Sequence, residues 1–433
     1  MKRRIFLQVL LAVATLLTAQ LFAQDAKPKY IFLMIGDGMG VTQIAAASKY
    51  LDLTQPDAGG LLWEKFPVKG LTTTHPAATD KITDSAAAAT AIACGVKTKN
   101  GMIGMTADNE THGSVAYAAK EKGMKVAIIT SVGINHATPA AFYSTRISRG
   151  MYNEIGLDIA SSGFDFFAGE PLLGKKPDEG RTAIKSAGYT IVNDREQIIN
   201  YQPQGKTLIE HLIPYRVDAK EDSLRLTDFV RAGLKSISDS EKGFFCMVEA
   251  GKIDWMGHAN DIASSIGEVL DLNDTMAIVY DFYKKHPQET LIVVTGDHET
   301  GGMSFNFTAN FDPLRFVAAV DGQKYSSTVL AGHLKGWRKE KLSNDEIIKR
   351  CLDAFGLSDV TPEEHEKLKK NVGERALLTV CQNMVAQRCG VTWTSFNHSS
   401  ASVKTTAIGP GSELFAGDTD NTDIAKNIFK LLH

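Results

Sequence analysis

The sequence predicts an α/β fold: a doubly wound, mostly parallel central sheet with helices on both faces. Short apolar runs bounded by Gly, Asp or Ser predict its strands, because parallel strands are buried on both sides. These runs are 30–36, 125–131, 244–250 and 291–297. Helical sequence lies between them, most clearly at 260–286, where apolar residues recur at helical spacing. Alternating strands and helices are typical of such sheets.

The composition is that of a globular protein, with 433 residues of which 43% are hydrophobic. The net charge of −3 gives no sign of a basic face, so nucleic-acid binding is disfavoured. We expect one domain at 24–433. Residues 303–395 differ in character, with glycine-containing loops followed by polar helical sequence, and we interpret them as a helical insertion.

Residues 1–23 resemble a signal peptide, since basic residues at 2–4 precede an apolar run that extends to Phe22. This pattern predicts cleavage after Ala23 and a periplasmic or secreted protein. An uncleaved anchor is the alternative, and RRIFL also resembles a twin-arginine signal, so the export route stays open. No other stretch approaches the roughly 18 apolar residues of a membrane span.

The five cysteines do not form the pattern of a disulfide-rich domain. Cys94 and Cys246 lie in apolar runs and are predicted to be small buried residues. A bridge between Cys381 and Cys389 is compatible with an oxidising compartment, and the sequence leaves that pairing open.

The stretch KITDSAAAATA places Asp84 and Ser85 directly before a run of alanines. Alanine favours helix and Gly95 favours its end, so a short helix is predicted to begin at Ser85. The first turn of a helix presents unpaired N–H groups to an anion. Ser85 is therefore either a helix cap or a nucleophile aimed at phosphate, and the stretch alone favours the cap.

Acids and histidines follow three of the predicted strands; they are Asp37, Glu249, Asp254, His258, Asp297 and His298. The carboxyl ends of parallel strands meet at one edge of a sheet, so we expect these side chains to converge. Asp with His suits zinc, whereas Asp, Glu and hydroxyl oxygens suit magnesium. Each pair alone is weak evidence, but three such strand ends together indicate a metal centre.

Three further residues are candidates on weaker grounds. Thr138 precedes Pro139 at a predicted helix entrance, which leaves its hydroxyl free to act. Arg149 is expected on the helix that follows, where its guanidinium could bind phosphate oxygens, although a surface arginine is the simpler interpretation. His398 begins a predicted strand, a place where a histidine is ordinarily structural or exposed.

Together, and in this order along most of the chain after residue 23, these stretches resemble the alkaline phosphatase family. The segments that carry the resemblance are IGDGMG, TDSAAAATA with GVKTKNGMIG, HATPAA followed by Arg149, VEAGKIDWMGH, VTGDHETGG and His398 before a segment with GP. The resemblance implies hydrolysis of phosphate monoesters to alcohol and inorganic phosphate through a phosphoserine, with Ser85 as the nucleophile.

The resemblance also implies three metal sites. A first zinc ion, which would bind the leaving oxygen, has the expected ligands Asp254, His258 and His398. A second has the expected ligands Asp37, Asp297 and His298, with Ser85 joining them during attack. A third ion, ordinarily magnesium, has the expected ligands Asp37, Thr138 and Glu249. Arg149 would bind two non-bridging oxygens of the phosphoryl group.

Three residues are expected in supporting positions around these ligands: Asp84, His136 and Trp255. Many bacterial relatives carry Asp and Lys where this chain has His136 and Trp255, and animal members also carry the histidine. Imidazole is a softer ligand than carboxylate and favours zinc or cobalt. The third ion is therefore expected to be Mg²⁺ or, in its place, Zn²⁺ or Co²⁺.

Two other functions compete with this one. A phosphodiesterase or sulfatase of the same superfamily is the first. Arg149 argues against it, because a guanidinium that binds through two N–H groups needs two free oxygens on the substrate. A non-catalytic metal- or phosphate-binding protein is the second, and the complete ligand set argues against it. The resemblance also implies a homodimer, and it leaves open whether the 303–395 segment forms a rim or a dimer contact.

Overall fold

The structure is a computed structural model that describes residues 27–306 and 311–433, so the expected signal peptide at 1–23 lies outside the described residues. Its strands are β1 (Tyr30–Gly36), β2 (Val68–Thr73), β3 (Lys125–Gly133), β4 (Phe166–Glu170), β5 (Thr190–Val192), β6 (Thr207–Glu210), β7 (Phe244–Ala250), β8 (Thr290–Gly296), β9 (Glu299–Thr300), β10 (Met303–Phe305), β11 (Val391–Trp393), β12 (His398–Ser399), β13 (Val403–Ile408) and β14 (Gly417–Asp420).

The α-helices of the described residues are α1 (Val41–Thr54), α2 (Ser85–Cys94), α3 (Val115–Glu121), α4 (Ala137–Ala140), α5 (Tyr152–Ser162), α6 (Pro177–Ser186), α7 (Arg195–Ile199), α8 (Leu226–Ile237), α9 (Lys252–Ala259), α10 (Ile262–Lys285), α11 (Pro313–Gly322), α12 (Ser327–Lys339), α13 (Asn344–Ala354), α14 (Pro362–Lys370), α15 (Glu374–Arg388) and α16 (Asn421–Leu432). Within the described ranges, none of these is both long and apolar enough to span a bilayer.

Ten strands form the central sheet, in the order β14-β2-β13-β8-β1-β7-β3-β4-β6-β5. Neighbouring strands run parallel except at β13, which is antiparallel to both β8 and β2. Alternate residues of β1 pack on opposite faces: Phe32 and Met34 join one hydrophobic core, and Ile31 and Leu33 join the other. The predicted doubly wound α/β sheet is therefore confirmed.

The four predicted strands are β1, β3, β7 and β8, with ends within two residues of the apolar runs. Complete burial explains the agreement, because every residue of β1, β7 and β8 is buried. The helix expected at 260–286 is α10, and Asp261 caps it by accepting a hydrogen bond from Ser264 N at 3.1 Å.

The described residues of the 303–395 segment form five helices, α11 to α15. Its ends are brought together by β10 and β11, which pair antiparallel with Met303 opposite Trp393. Apolar side chains of these helices, among them Phe316, Leu330 and Cys351, join the hydrophobic core that contains Phe32. The segment therefore packs against the same face of the sheet as α1 and α10.

A bridge between Cys381 and Cys389 is excluded by their placement. Both residues belong to the end of α15 and its cap, eight positions apart, so the helical rise separates their Cα atoms by about 12 Å. Disulfides need Cα atoms within about 7 Å of each other. Both thiols are free and buried, as are Cys94 and Cys246, which were predicted to be core residues.

Candidate active site

The candidate site lies at the carboxyl ends of four neighbouring strands, β8, β1, β7 and β3. Asp37 directly follows β1, Glu249 lies at the end of β7, and Asp297 with His298 follows β8. Gly38 lets the chain after Asp37 approach α9, since its φ is +72° and a Cβ there would lie 2.6 Å from the Cα of Asp254.

Asp254, His258 and His398 form the first cluster. Asp254 Oδ1 lies 3.4 Å from Nε2 of each histidine, and the two Nε2 atoms are 3.1 Å apart. Both Nδ1 atoms donate to backbone carbonyls, those of Phe396 at 2.6 Å and Thr83 at 2.8 Å. In neutral imidazoles the Nε2 lone pairs then face each other, which is unfavourable unless a cation lies between them.

The spacing in this cluster also fits zinc. Tetrahedral ligands about 2.0–2.2 Å from a zinc ion lie roughly 3.3–3.6 Å from one another. Although burial opposes it, the hydrogen bond and charge of Asp254 raise the pKa of His398. Asp254 keeps a lowered pKa against burial because His398, His298 and His258 face it. The cluster thus favours a positive charge at its centre, which a bound dication would supply in place of the proton.

Asp37, Asp297 and His298 form the second cluster, and all three are fully buried. His298 Nε2 lies 3.4 Å from Asp37 Oδ1 and 3.3 Å from Asp297 Oδ2. Burial and the charge of Asp297 raise the pKa of Asp37 well above its ordinary value. Burial, with the charge of Asp254, raises the pKa of Asp297 to about 7. Such crowded buried carboxylates need a compensating positive charge.

A third cluster joins Asp37, His136 and Glu249. Within the described ranges, Glu249 Oε1, His136 Nδ1 and both carboxylate oxygens of Asp37 lack hydrogen-bond partners, as does the buried hydroxyl of Thr138. Burial and the charge of Arg149 lower the pKa of His136 to about 4, which keeps its ring neutral, the form that binds metals. His136 therefore lies in the cluster itself, where the sequence had placed it in a supporting position.

Ser85 is the first residue of α2 and is 2% exposed. Its Oγ lies 3.3 Å from His298 Nε2, beside the second cluster. The helix cap is Asp84 and not Ser85, because Asp84 Oδ1 accepts a hydrogen bond from Ala87 N at 3.0 Å. The capping interpretation of Ser85 is thus replaced, because the Ser85 hydroxyl does not cap the helix.

Asp84 also positions Arg149. Its Oδ2 accepts from Arg149 Nη1 at 3.1 Å and from Gly101 N at 3.0 Å. Arg149 Nη2 lies 3.3 Å from His136 Nε2. The guanidinium therefore bridges Asp84, which precedes Ser85, and His136 of the third cluster. Trp255 packs edge-on against His136, with ring centroids 6.3 Å apart.

The expectation that Arg149 lies on a helix was wrong. It lies in a turn ahead of α5, which begins at Tyr152. Three backbone hydrogen bonds hold this loop to the chain after α2: Arg149 N donates to Gly101 O at 2.6 Å, Arg146 N to Ile103 O at 2.9 Å, and Ile103 N to Arg146 O at 2.8 Å. The loop is fixed by contacts distant in sequence, which no local pattern reveals.

Two residues near the site were missed by the sequence reasoning. Glu299 is buried and accepts hydrogen bonds from Gln43 Nε2 at 2.9 Å and Met303 N at 3.1 Å, which fixes the chain after His298. Thr130 of β3 donates to Glu249 Oε2. Glu299 stands in VTGDHETGG, just after Asp297 and His298 at the end of β8, which was an available signal; Thr130 carried none.

Comparisons with known proteins identify the family. A family model described as alkaline phosphatase matches residues 28–165 and 165–433. The chain belongs to the alkaline phosphatase family. It is 32% identical to alkaline phosphatase 3 of Bacillus subtilis over 431 residues, which cover 93% of this chain and 89% of that protein. The protein is accordingly a hydrolase of phosphate monoesters, in a metal-dependent family.

Solved structures show the same relationship. The cold-active alkaline phosphatase of a psychrophilic Shewanella species has a TM-score of 0.82 and 29% identity, covering 93% of this chain and 100% of that one. A variant of the alkaline phosphatase from the Antarctic bacterium TAB5, with aspartate in place of a histidine and Mg bound in its M3 site, has a TM-score of 0.67. It is 26% identical and covers 94% of this chain and 98% of that one.

Proposed function

We propose that this protein transfers the phosphoryl group of a monoester first to Ser85 and then to water. The observation that carries the proposal is the position of Ser85 Oγ, at the start of α2 and 3.3 Å from His298 of the second cluster. Backbone N–H groups of the first helical turn would bind phosphoryl oxygens there.

The residues present fit two zinc ions and a third ion. The first zinc would be held by Asp254, His258 and His398, and the second by Asp37, Asp297 and His298. The third ion would be held by Asp37, His136 and Glu249, with Thr138 beside them. When bound, the two zinc ions supply Lewis-acid stabilisation of negative charge on the serine and leaving oxygens.

The chain's own residues perform two displacements. Ser85 Oγ gives its proton to solvent and attacks phosphorus, so a bond from the serine oxygen to phosphorus forms and the bond from phosphorus to the leaving oxygen breaks. The alcohol departs with a proton from solvent. Water then attacks the same phosphorus, which breaks the bond to Ser85 and releases inorganic phosphate, and a proton of the attacking water restores the Ser85 hydroxyl.

Arg149 binds two non-bridging oxygens in this scheme, held in place by Asp84. A diester offers one such charged oxygen fewer, so Arg149 favours monoesters. Arg149→Ala is expected to lower kcat/KM for p-nitrophenyl phosphate by roughly 10- to 100-fold, the worth of a charge-assisted hydrogen bond pair. The rate for bis-p-nitrophenyl phosphate should change much less.

Arg146→Ala is the matched control, because Arg146 lies in the same loop but pairs with Asp158. It is expected to leave the monoester-to-diester ratio unchanged. A wild-type protein that prefers the diester would contradict the proposal and favour a phosphodiesterase.

His136 is expected to decide which ion the third cluster takes. His136→Asp replaces an imidazole by a carboxylate, which favours the harder magnesium ion. The TAB5 variant that has aspartate in place of a histidine likewise has Mg bound in its M3 site. Calorimetric titration of the variant should show tighter Mg²⁺ binding than wild type, and activity should depend on added Mg²⁺.

His112→Asp, at an exposed histidine, controls for the added charge. Equal Mg²⁺ affinity in wild type and His136→Asp would remove His136 from the third site.

A further inference from the structure

A cleft of about 610 Å³ with a mixed polar and apolar lining opens beside the first cluster, and His258 forms part of its wall. The other walls come from α12, α15 and the exposed ring of Phe396. The helical 303–395 segment thus supplies most of this cleft. Its volume is within the range of small-molecule sites.

The position of the cleft indicates which part of the substrate it faces. Ser85 Oγ contacts the second cluster through His298, whereas the cleft adjoins His258 of the first. In an in-line displacement the attacking and leaving oxygens lie on opposite sides of phosphorus. With Ser85 on the side of the second cluster, the leaving group extends past the first, toward the cleft.

We propose that this cleft binds the alcohol part of the substrate and selects ring-bearing alcohols of the nucleoside class, so that nucleoside monophosphates are favoured substrates. The proposal rests on the phosphomonoesterase function proposed above. It gives the helical segment a role in specificity.

The side chains in the cleft wall are the reason for proposing alcohols of the nucleoside class. Phe396 is 39% exposed, and the Arg375 guanidinium lies 5.7 Å from its ring centroid, which makes a platform for a stacked ring. Gln382 is buried in the wall, where its amide can bond hydroxyls and ring nitrogens. The Thr379 hydroxyl beside it donates to Arg375 O at 2.9 Å and can accept a further hydrogen bond. Ser327 is 5% exposed, and its Oγ has no hydrogen-bond partner among the described residues.

Charge contributes less to this selection. Lys335 and Arg375 line the cleft together with Glu374, so positive and negative groups are mixed. A ring that stacks and accepts hydrogen bonds fits these walls better than a second anionic group does.

Two glycines of α12 allow a matched test. A Cβ added at Gly332, which lines the cleft, or at Gly336, which does not, meets nothing within 4 Å. Gly332→Phe would therefore fill the cleft without a clash at Cβ, while Gly336→Phe adds the same side chain one helical turn away.

The experiment compares kcat/KM for adenosine 5′-monophosphate and for ethyl phosphate in the metal-loaded enzyme. We expect wild type to favour the nucleotide and adenosine to inhibit it competitively. Gly332→Phe should lower the nucleotide-to-ethyl ratio by about tenfold, the worth of a lost pocket contact, and weaken adenosine inhibition. Gly336→Phe should keep the wild-type ratio and inhibition.

The outcomes separate the two proposals. Equal losses for both substrates in Gly332→Phe, or a wild type that neither favours the nucleotide nor binds adenosine, would overturn the cleft proposal and leave the phosphomonoesterase function standing. Phosphate release from neither substrate in wild type would overturn both. Should Gly332→Phe unfold, Arg375→Ala at an exposed position is expected to lower the same ratio and to test the same point.

Discussion

Replacement of Ser85 by alanine is expected to lower kcat for p-nitrophenyl phosphate by about a thousandfold or more, the scale seen when a covalent nucleophile is removed. The hydroxyl is 2% exposed and its Oγ lies 3.3 Å from His298, with no role as a helix cap. The variant should consequently keep its thermal stability, since Asp84 still caps α2. Steady-state rates and thermal unfolding measure the two effects.

Ser114 offers a matched control, because it also stands at a helix start but serves as a cap. Its Oγ accepts from Tyr117 N at 3.4 Å and donates to Phe142 O at 2.6 Å. Ser114→Ala should cost about 1 kcal/mol of stability and leave kcat unchanged. If Ser85→Ala instead destabilises the protein and keeps the rate, Ser85 is a structural residue.

Asp37 is shared by the second and third clusters, so its loss is expected to affect two ions. Asp37→Ala should lower the metal content by about two ions per chain, whereas His398→Ala, which belongs to the first cluster, should lower it by about one. Activity of Asp37→Ala is expected to fall by about a thousandfold, since charge stabilisation by a metal is worth several kcal/mol. Metal analysis of the purified proteins measures the stoichiometry.

Asp165→Asn controls for the loss of a structural carboxylate, because Asp165 pairs with Lys120 at 3.0 Å, away from the three clusters. Its metal content should equal that of wild type. Retention of every ion by Asp37→Ala would contradict the sharing of Asp37 between two sites.

The fold was predictable where burial is complete. Strands β1, β7 and β8 are buried at every residue, so their apolar runs directly predict central parallel strands. The antiparallel strand β13 was not predicted as such, because its direction is set by pairing with β8 and β2, which no local pattern encodes.

The residues of the site were predictable where they lie at the ends of predicted strands. Asp37, Asp297 and His298 follow strands directly, so the sheet alone brings them together. Arg149 is different, because the contacts that place it come from distant parts of the chain, such as Gly101 and Asp84. Its proximity to Ser85 had to come from the structure.

The central claim is that Ser85 carries the phosphoryl group between substrate and water. Rapid acid quench of the enzyme during turnover of p-nitrophenyl phosphate, followed by peptide mass spectrometry, tests it most directly. The account predicts one added phosphoryl group on Ser85, lost in Ser85→Ala. A phosphoryl group on Thr83 or Thr90 in the same stretch, or turnover with no phosphorylated enzyme, would contradict it.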